Sequence, residues 1–172
     1  YAEAVLCVSK QLIRVEAFAD ARRFAAAAAR QQNSDDTSRA VRGRALALEA
    51  DALRRLGNLD EALALIRSHN EQRAESLEVQ LAEARCLIDL GEPSRALEAI
   101  RRARSAAEPG TPRWWRITLL LSRTLKETGK PGAAEEILRV AAVLYPAPDG
   151  ELKREIRSLR NTLRSANDHE NG

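Results

Sequence analysis

An all-α fold is what this sequence predicts, and three observations carry the prediction. Ala, Leu, Arg and Glu, all strong helix formers, dominate the 172 residues. Eight glycines and six prolines are too few for a turn-rich β fold or a disordered linker. The glycines that are present recur at a fixed interval, each ahead of a helix-start signal. A hydrophobic share of 44% is enough to build a core, and 31% charged residues keep the exposed faces wet.

Three segments align on their glycines: Leu56-Gly57-Asn58-Leu59-Asp60-Glu61-Ala62, Leu90-Gly91-Glu92-Pro93-Ser94-Arg95-Ala96 and Thr128-Gly129-Lys130-Pro131-Gly132-Ala133-Ala134. Gly57 and Gly91 lie 34 residues apart, as do Ile66 and Ile100, while Gly91 and Gly129 lie 38 apart. The extra residues of the longer interval fit a loop around Glu108–Pro112. A fainter copy at the start sets Phe18-Ala19-Asp20-Ala21 against Leu59–Ala62 at a spacing of 41, the surplus falling in the polar stretch Gln32–Ser38.

Each unit therefore reads as two helices joined by a tight turn. The glycine stands where a helix ends in a left-handed residue, a conformation that strains any residue with a Cβ. Pro93 and Pro131 follow at the first position of the next helix, where the missing N–H does no harm, and Thr111-Pro112 repeats the signal for the last unit. Apolar residues at helical spacing (Leu46, Ala50, Leu53, Leu56, then Ala62, Leu65, Ile66) supply the buried faces. Residues 33–38 read as a loop. The last helix, about 151–166, carries Leu152, Ile156, Leu159 and Leu163 on one stripe with Lys153, Arg157, Arg160 and Arg164 beside it. It reads as a cap that covers the final unit and keeps its arginines in water.

A repeating helix–turn–helix of 34 residues with Leu-Gly at the turn and Ala on the next helix resembles the tetratricopeptide repeat. Gly57, Gly91 and Gly129 match that family's turn glycine, Ala62, Ala96 and Ala134 its first small position, Ala103 and Ala141 its second, and Tyr145-Pro146 its closing proline. Leucines stand at several of its aromatic positions, His69 replaces one small alanine, and Glu16 occupies the turn position of the first unit. The resemblance implies a right-handed α-α superhelix: a divergent unit at 1–35, units at 36–76, 77–110 and 111–147, a capping helix at 148–166 and a disordered tail at 167–172.

The resemblance also implies a concave groove lined by the first helix of each unit. Transferred by position, the groove presents Glu3, Leu6, Cys7, Lys10, Ile13 and Arg14; Arg44, Ala47, Leu48, Asp51, Arg54 and Arg55; Glu78, Leu81, Ala82, Arg85, Ile88 and Asp89; and Arg116, Leu119, Leu120, Arg123, Lys126 and Glu127. Candidate peptide contacts are Lys10, Arg14, Arg44, Arg54, Arg85, Leu119, Arg123 and Lys126, with Lys10, Arg85 and Arg123 at equivalent positions. Guanidinium groups with apolar residues between them suit an extended peptide that carries carboxylates. Alternatively the same charges pair between units, for example Arg85 with Asp51 or Asp89. The asparagine-plus-lysine clamp that some relatives use on a chaperone's C-terminal carboxylate is not reproduced, because no Asn stands at the equivalent position.

Other chemistry finds little support. No nucleophile motif, HExxH or phosphate loop is present, so the reading is non-enzymatic, with no catalytic residue, cofactor or small-molecule substrate. Cys7 and Cys86 form no CxxC pair, lie two units apart and are expected to be small buried hydrophobes; no metal site is expected. Trp114-Trp115 reads as packing within a solenoid joint rather than as a binding anchor. A net charge of +3 and 3% aromatics speak against a nucleic-acid platform. The longest uncharged apolar run, Phe24–Ala29, is far short of a membrane span, and Tyr1–Leu12 does not read as a secretory signal.

The expected function is a protein-interaction scaffold for a protein or peptide, acidic in character. The alternatives are a structural spacer or self-association domain, and nucleic-acid or membrane-surface contact through the basic last helix. The absence of Met at position 1 and of a cap before the first unit fits a piece of a longer protein, and the Ala and Arg usage fits a GC-rich bacterial source.

Overall fold

The computed structural model describes residues 2–30, 36–71, 76–146, 148 and 150–170. Among these residues the regular structure is entirely helical: α1 Ala2–Arg14, α2 Phe18–Ala29, α3 Asp36–Arg55, α4 Leu59–Glu71, α5 Leu77–Asp89, α6 Pro93–Ala106, α7 Pro112–Glu127, α8 Pro131–Leu144 and α9 Glu151–Glu170. The chain divides into two compact units, Tyr1–Glu92 and Pro93–Gly172. Of the segment expected as a loop at 33–38, residues 36–38 already belong to α3, and residues 31–35 lie outside the described ones. Helix α9 runs on to Glu170, through most of the segment read as a tail; residues 171 and 172 also lie outside the description.

In the first unit α2 packs on α1 and α3, and α3 packs in turn on α1, α4 and α5. The turns between paired helices share one hydrogen-bond pattern. Gly57 has φ +83°, and Asn58 N–H donates across it to the Leu53 carbonyl at 2.9 Å. Gly91 (φ +74°) repeats this with Glu92 N–H on Leu87 O at 2.9 Å, and in the second unit Gly129 (φ +71°) repeats it with Lys130 N–H on Leu125 O at 2.9 Å. These are Schellman closures, which satisfy carbonyls that a helix end would otherwise leave unpaired. Glu16 makes the same closure without being glycine: its φ is +62° and Ala17 N–H reaches Leu12 O at 2.9 Å. The first unit therefore keeps the repeat's turn despite its divergent residue.

Small residues let the helices approach. Ala21, Ala62, Ala96 and Ala134, equivalent to one another in the repeats, are all fully buried. Gly43 serves the same end at the contact between α3 and the start of α5, where an added Cβ would lie 2.6 Å from Ser76 Oγ.

In the second unit α7 packs on α6, α8 and α9. Thr111 caps α7, accepting from Trp114 N–H at 3.2 Å while its own hydroxyl donates to Glu108 O at 2.8 Å. Trp114 and Trp115 are both buried, edge to face at 5.3 Å, and Tyr145 closes on Trp114 at 5.0 Å. The Arg104 guanidinium lies 4.7 Å above the Trp114 ring and its Nε donates to Thr118 Oγ1 at 3.1 Å. The tryptophans thus fill this unit's interior. Leu152, Ile156 and Leu163 bury one face of α9 against α7 and α8.

The turn geometry gives paired predictions. Glu16→Gly should stabilise the chain by about 1 kcal/mol by relieving a left-handed non-glycine residue. Gly57→Ala should destabilise it by about the same amount, a purely conformational cost because the added Cβ meets nothing within 4 Å. Urea denaturation followed by circular dichroism measures both.

Candidate binding groove

Helices α1, α3 and α5 are the first helices of three successive units, offset by 41 and then 34 residues. At those offsets Glu3, Arg44 and Glu78 are equivalent, as are Leu6, Ala47 and Leu81, then Cys7, Leu48 and Ala82, then Lys10, Asp51 and Arg85. Among the described residues, these twelve line one groove of about 550 Å³ in the first unit. Four equivalent rows thus become four rungs across a single wall. The two middle rungs are largely apolar; the outer rungs are acid–base–acid at one end and base–acid–base at the other.

The charges of the wall are unequally committed. Arg44 pairs with Glu3 on the neighbouring helix. Arg54 stands behind the groove, half-buried, with Nε and Nη2 on Asp51 Oδ1 at 3.0 and 2.9 Å and Nη1 on Asp89 Oδ2 at 2.7 Å. Burial works against the Arg54 charge, but the hydrogen bonds to Asp89 and Asp51 outweigh it and hold the guanidinium above its ordinary range. The two carboxylates that could have neutralised Arg85 are therefore taken by Arg54. Among the described residues Lys10 and Arg85 make no ion pair, and they stand on the same rung.

Of the predicted contacts, the groove contains Lys10, Arg44 and Arg85. Arg54 is a clamp between α3 and α5 rather than a free contact. Arg14 is exposed at the end of α1 but does not line the groove. In the second unit Leu119 is only 2% exposed and belongs to the interior, Arg123 pairs with Glu155 of α9, and Lys126 is exposed near the end of α7. Leu119 was expected on a surface because position was transferred without its packing; buried between its neighbours, it offers a ligand almost nothing.

One of the cysteines also parts from expectation. Cys86 is buried and free, its thiol pushed up to about 11 by burial, but Cys7 is exposed, free and part of the groove lining. Only the exposure of Cys7 departs from expectation, because Cys is most often buried; its row already sets it beside Leu6 on the lining face. Sequence reasoning missed the Arg54 clamp, whose signal was an Asp three residues before Arg54 and another 35 residues after it. Among the described residues no group of three or more His, Cys, Asp or Glu could hold a metal ion. Among them no helix is long and apolar enough to cross a membrane.

Comparison with known proteins agrees with this geometry. The tetratricopeptide repeat family model matches residues 53–118. No curated protein matches the chain in sequence. Among solved structures, the nearly identical TPR-like repeats of a putative kinesin light chain from Podosopora anserina superpose with a TM-score of 0.75 at 14% identity, covering 97% of this chain and 87% of that one. A tetratricopeptide repeat protein from Parabacteroides merdae gives 0.62 at 17% identity over 97% of this chain and 61% of that one. A thermophilic TPR protein from Thermus thermophilus gives 0.58 at 13% identity over 92% and 98%. Identities this low speak for fold alone, and the fold is the TPR-like solenoid of helix pairs. The family match covers little more than a third of the chain, and the helices outside it follow the same fold, about four TPR-like helix pairs followed by a terminal helix.

The two thiols should differ sharply in reactivity. In native protein near pH 8 a disulfide reagent such as dithionitrobenzoate should titrate Cys7 promptly and Cys86 only after denaturation. The folded-state pKa of Cys86 lies above its ordinary value of 9.0, so protein stability from this group is intact below pH 9.0 and falls as pH rises towards about 11. A Cys86→Ala variant should lose less stability across that range than the parent.

Proposed function

We propose that this chain is a non-enzymatic interaction module that holds a peptide segment of a partner protein in the groove of α1, α3 and α5. The ligand places apolar side chains on the partly exposed Ala47, Leu48 and Leu81, above the buried Leu6 and Ala82, and a carboxylate beside Lys10 and Arg85. The carrying observation is the pair of uncommitted cations on one outer rung beside an apolar band, with Asp51 between them bonded to Arg54. A lysine and an arginine at one end of such a band favour a carboxylate, whether an acidic side chain or a chain terminus. The tetratricopeptide-repeat fold commonly mediates protein–protein interaction, which supports the same reading. Arg44 contributes less than sequence suggested, since its charge is met by Glu3.

The test begins with selection of peptides from a random display library on the purified chain. The selected peptides should be apolar with a carboxylate to one side. Lys10→Glu with Arg85→Glu should weaken them about 100-fold, since each charged hydrogen bond lost is worth about 1.5–3 kcal/mol. Undiminished affinity in that variant, with circular dichroism unchanged, would rule out the groove as the binding surface.

A further inference from the structure

We propose a second docking site, separate from the groove: the cleft between α8 and α9, occupied by an acidic helix of a partner protein. Ala142 and Ile156 give the cleft an apolar floor, and Lys153, Arg157, Arg160 and Arg164 line a space of about 310 Å³ with no carboxylate among the lining residues.

The distribution of charge is what marks this place. Several arginines elsewhere are neutralised along one helix, Arg23 with Asp20, Arg54 with Asp51 and Arg139 with Glu136. Others are met between helices, Arg22 by Glu61 and Arg123 by Glu155. On α9 the pattern reverses. Four cations follow one another at every third or fourth residue, the spacing at which like charges on a helix repel. Arg164 reaches Glu135 only at 3.4 Å, and among the described residues Arg157 and Arg160 make no ion pair. Glu155, the acid on α9 nearest to the stripe in sequence, is directed to Arg123 of α7 instead. The repulsion between Arg157 and Arg160 is thus unrelieved among the described residues, and a ligand that supplies negative charge in register relieves it.

The packing of α9 indicates the shape of that ligand. Helices α1, α3 and α7 each have a second helix of the pair packed on them, α2, α4 and α8. Helix α9 packs on α7 and α8, and no second helix follows it among the described residues. A helix with glutamates at every fourth position repeats its charge at about 5–6 Å, the same step as the cationic stripe. Its small or apolar residues would then meet Ala142 and Ile156. Single-stranded nucleic acid fits less well, because the cleft offers no aromatic ring on which a base could stack.

The probe is a fluorescein-labelled, end-capped peptide of about 16 residues, long enough to hold a helix, with Glu at every fourth position beside a Leu and Ala stripe. Titrated with the full chain, its anisotropy should saturate, and Arg157→Glu with Arg160→Glu should weaken binding at least about tenfold. Arg157→Lys with Arg160→Lys should retain most of it, and the groove variant Lys10→Glu with Arg85→Glu should leave it unchanged. No saturable binding, binding indifferent to Arg157 and Arg160, or tighter binding of a single-stranded oligonucleotide through the same two arginines would each overturn the proposal. Circular dichroism of the variants checks the fold, and the reversed-charge variant, freed of repulsion along α9, should melt about 2 °C higher than the parent.

Discussion

A left-handed residue at the end of a helix, closed by an N–H reaching back across it, is the constraint on which the rest of this molecule depends. It turns the chain sharply enough for the next helix to lie back along the last one, and it does so at the same place in each unit. Gly57, Gly91, Gly129 and Glu16 all take this conformation. The buried alanines that follow each turn then set how closely the helices approach. Because both features recur at repeat spacing, equivalent residues of α1, α3 and α5 arrive at equivalent places on one wall. A groove built this way inherits its chemistry row by row: one substitution changes a single rung, while a change of repeat length would shift them all.

Charge allocation then decides what the wall offers. Its cations are not equivalent, although sequence makes them look so. Arg44 and Arg54 spend their charge within the fold, on Glu3 and on Asp51 with Asp89. Alongside these commitments, Lys10 and Arg85 stand exposed on one rung with no ion pair among the described residues. Structural ion pairs and the proposed ligand contacts are thus linked: the clamp between α3 and α5 holds Asp51 and Asp89 on Arg54. The same sorting along α9 leaves a basic stripe facing α8 and sends Glu155 to α7.

Much of the fold was legible because it rests on local chemistry that repeats. The turn glycines, the prolines at helix starts and the alanine spacing each have a backbone reason, and together they predict helix pairs that turn at Gly57, Gly91 and Gly129, where the turns are found. What was not legible depends on geometry that no periodicity carries. Whether Arg54 or Arg85 takes Asp51 turns on side-chain reach between helices. That Leu119 is interior while its counterparts Ala47 and Leu81 are partly exposed on the groove reflects the packing of the second unit, with its two tryptophans. The exposure of Cys7 follows from its helical row, against the general habit of the residue type.

The register of neighbouring repeats can be probed by a double-mutant cycle on Arg54→Ala and Asp89→Ala, residues 35 apart in sequence and bonded at 2.7 Å in the fold. In-register stacking of α3 and α5 predicts a coupling energy of about 1 kcal/mol in chemical denaturation, fading at high salt. Strict additivity of the two single substitutions would mean that the helices do not meet as described, and the wall they share would go with them.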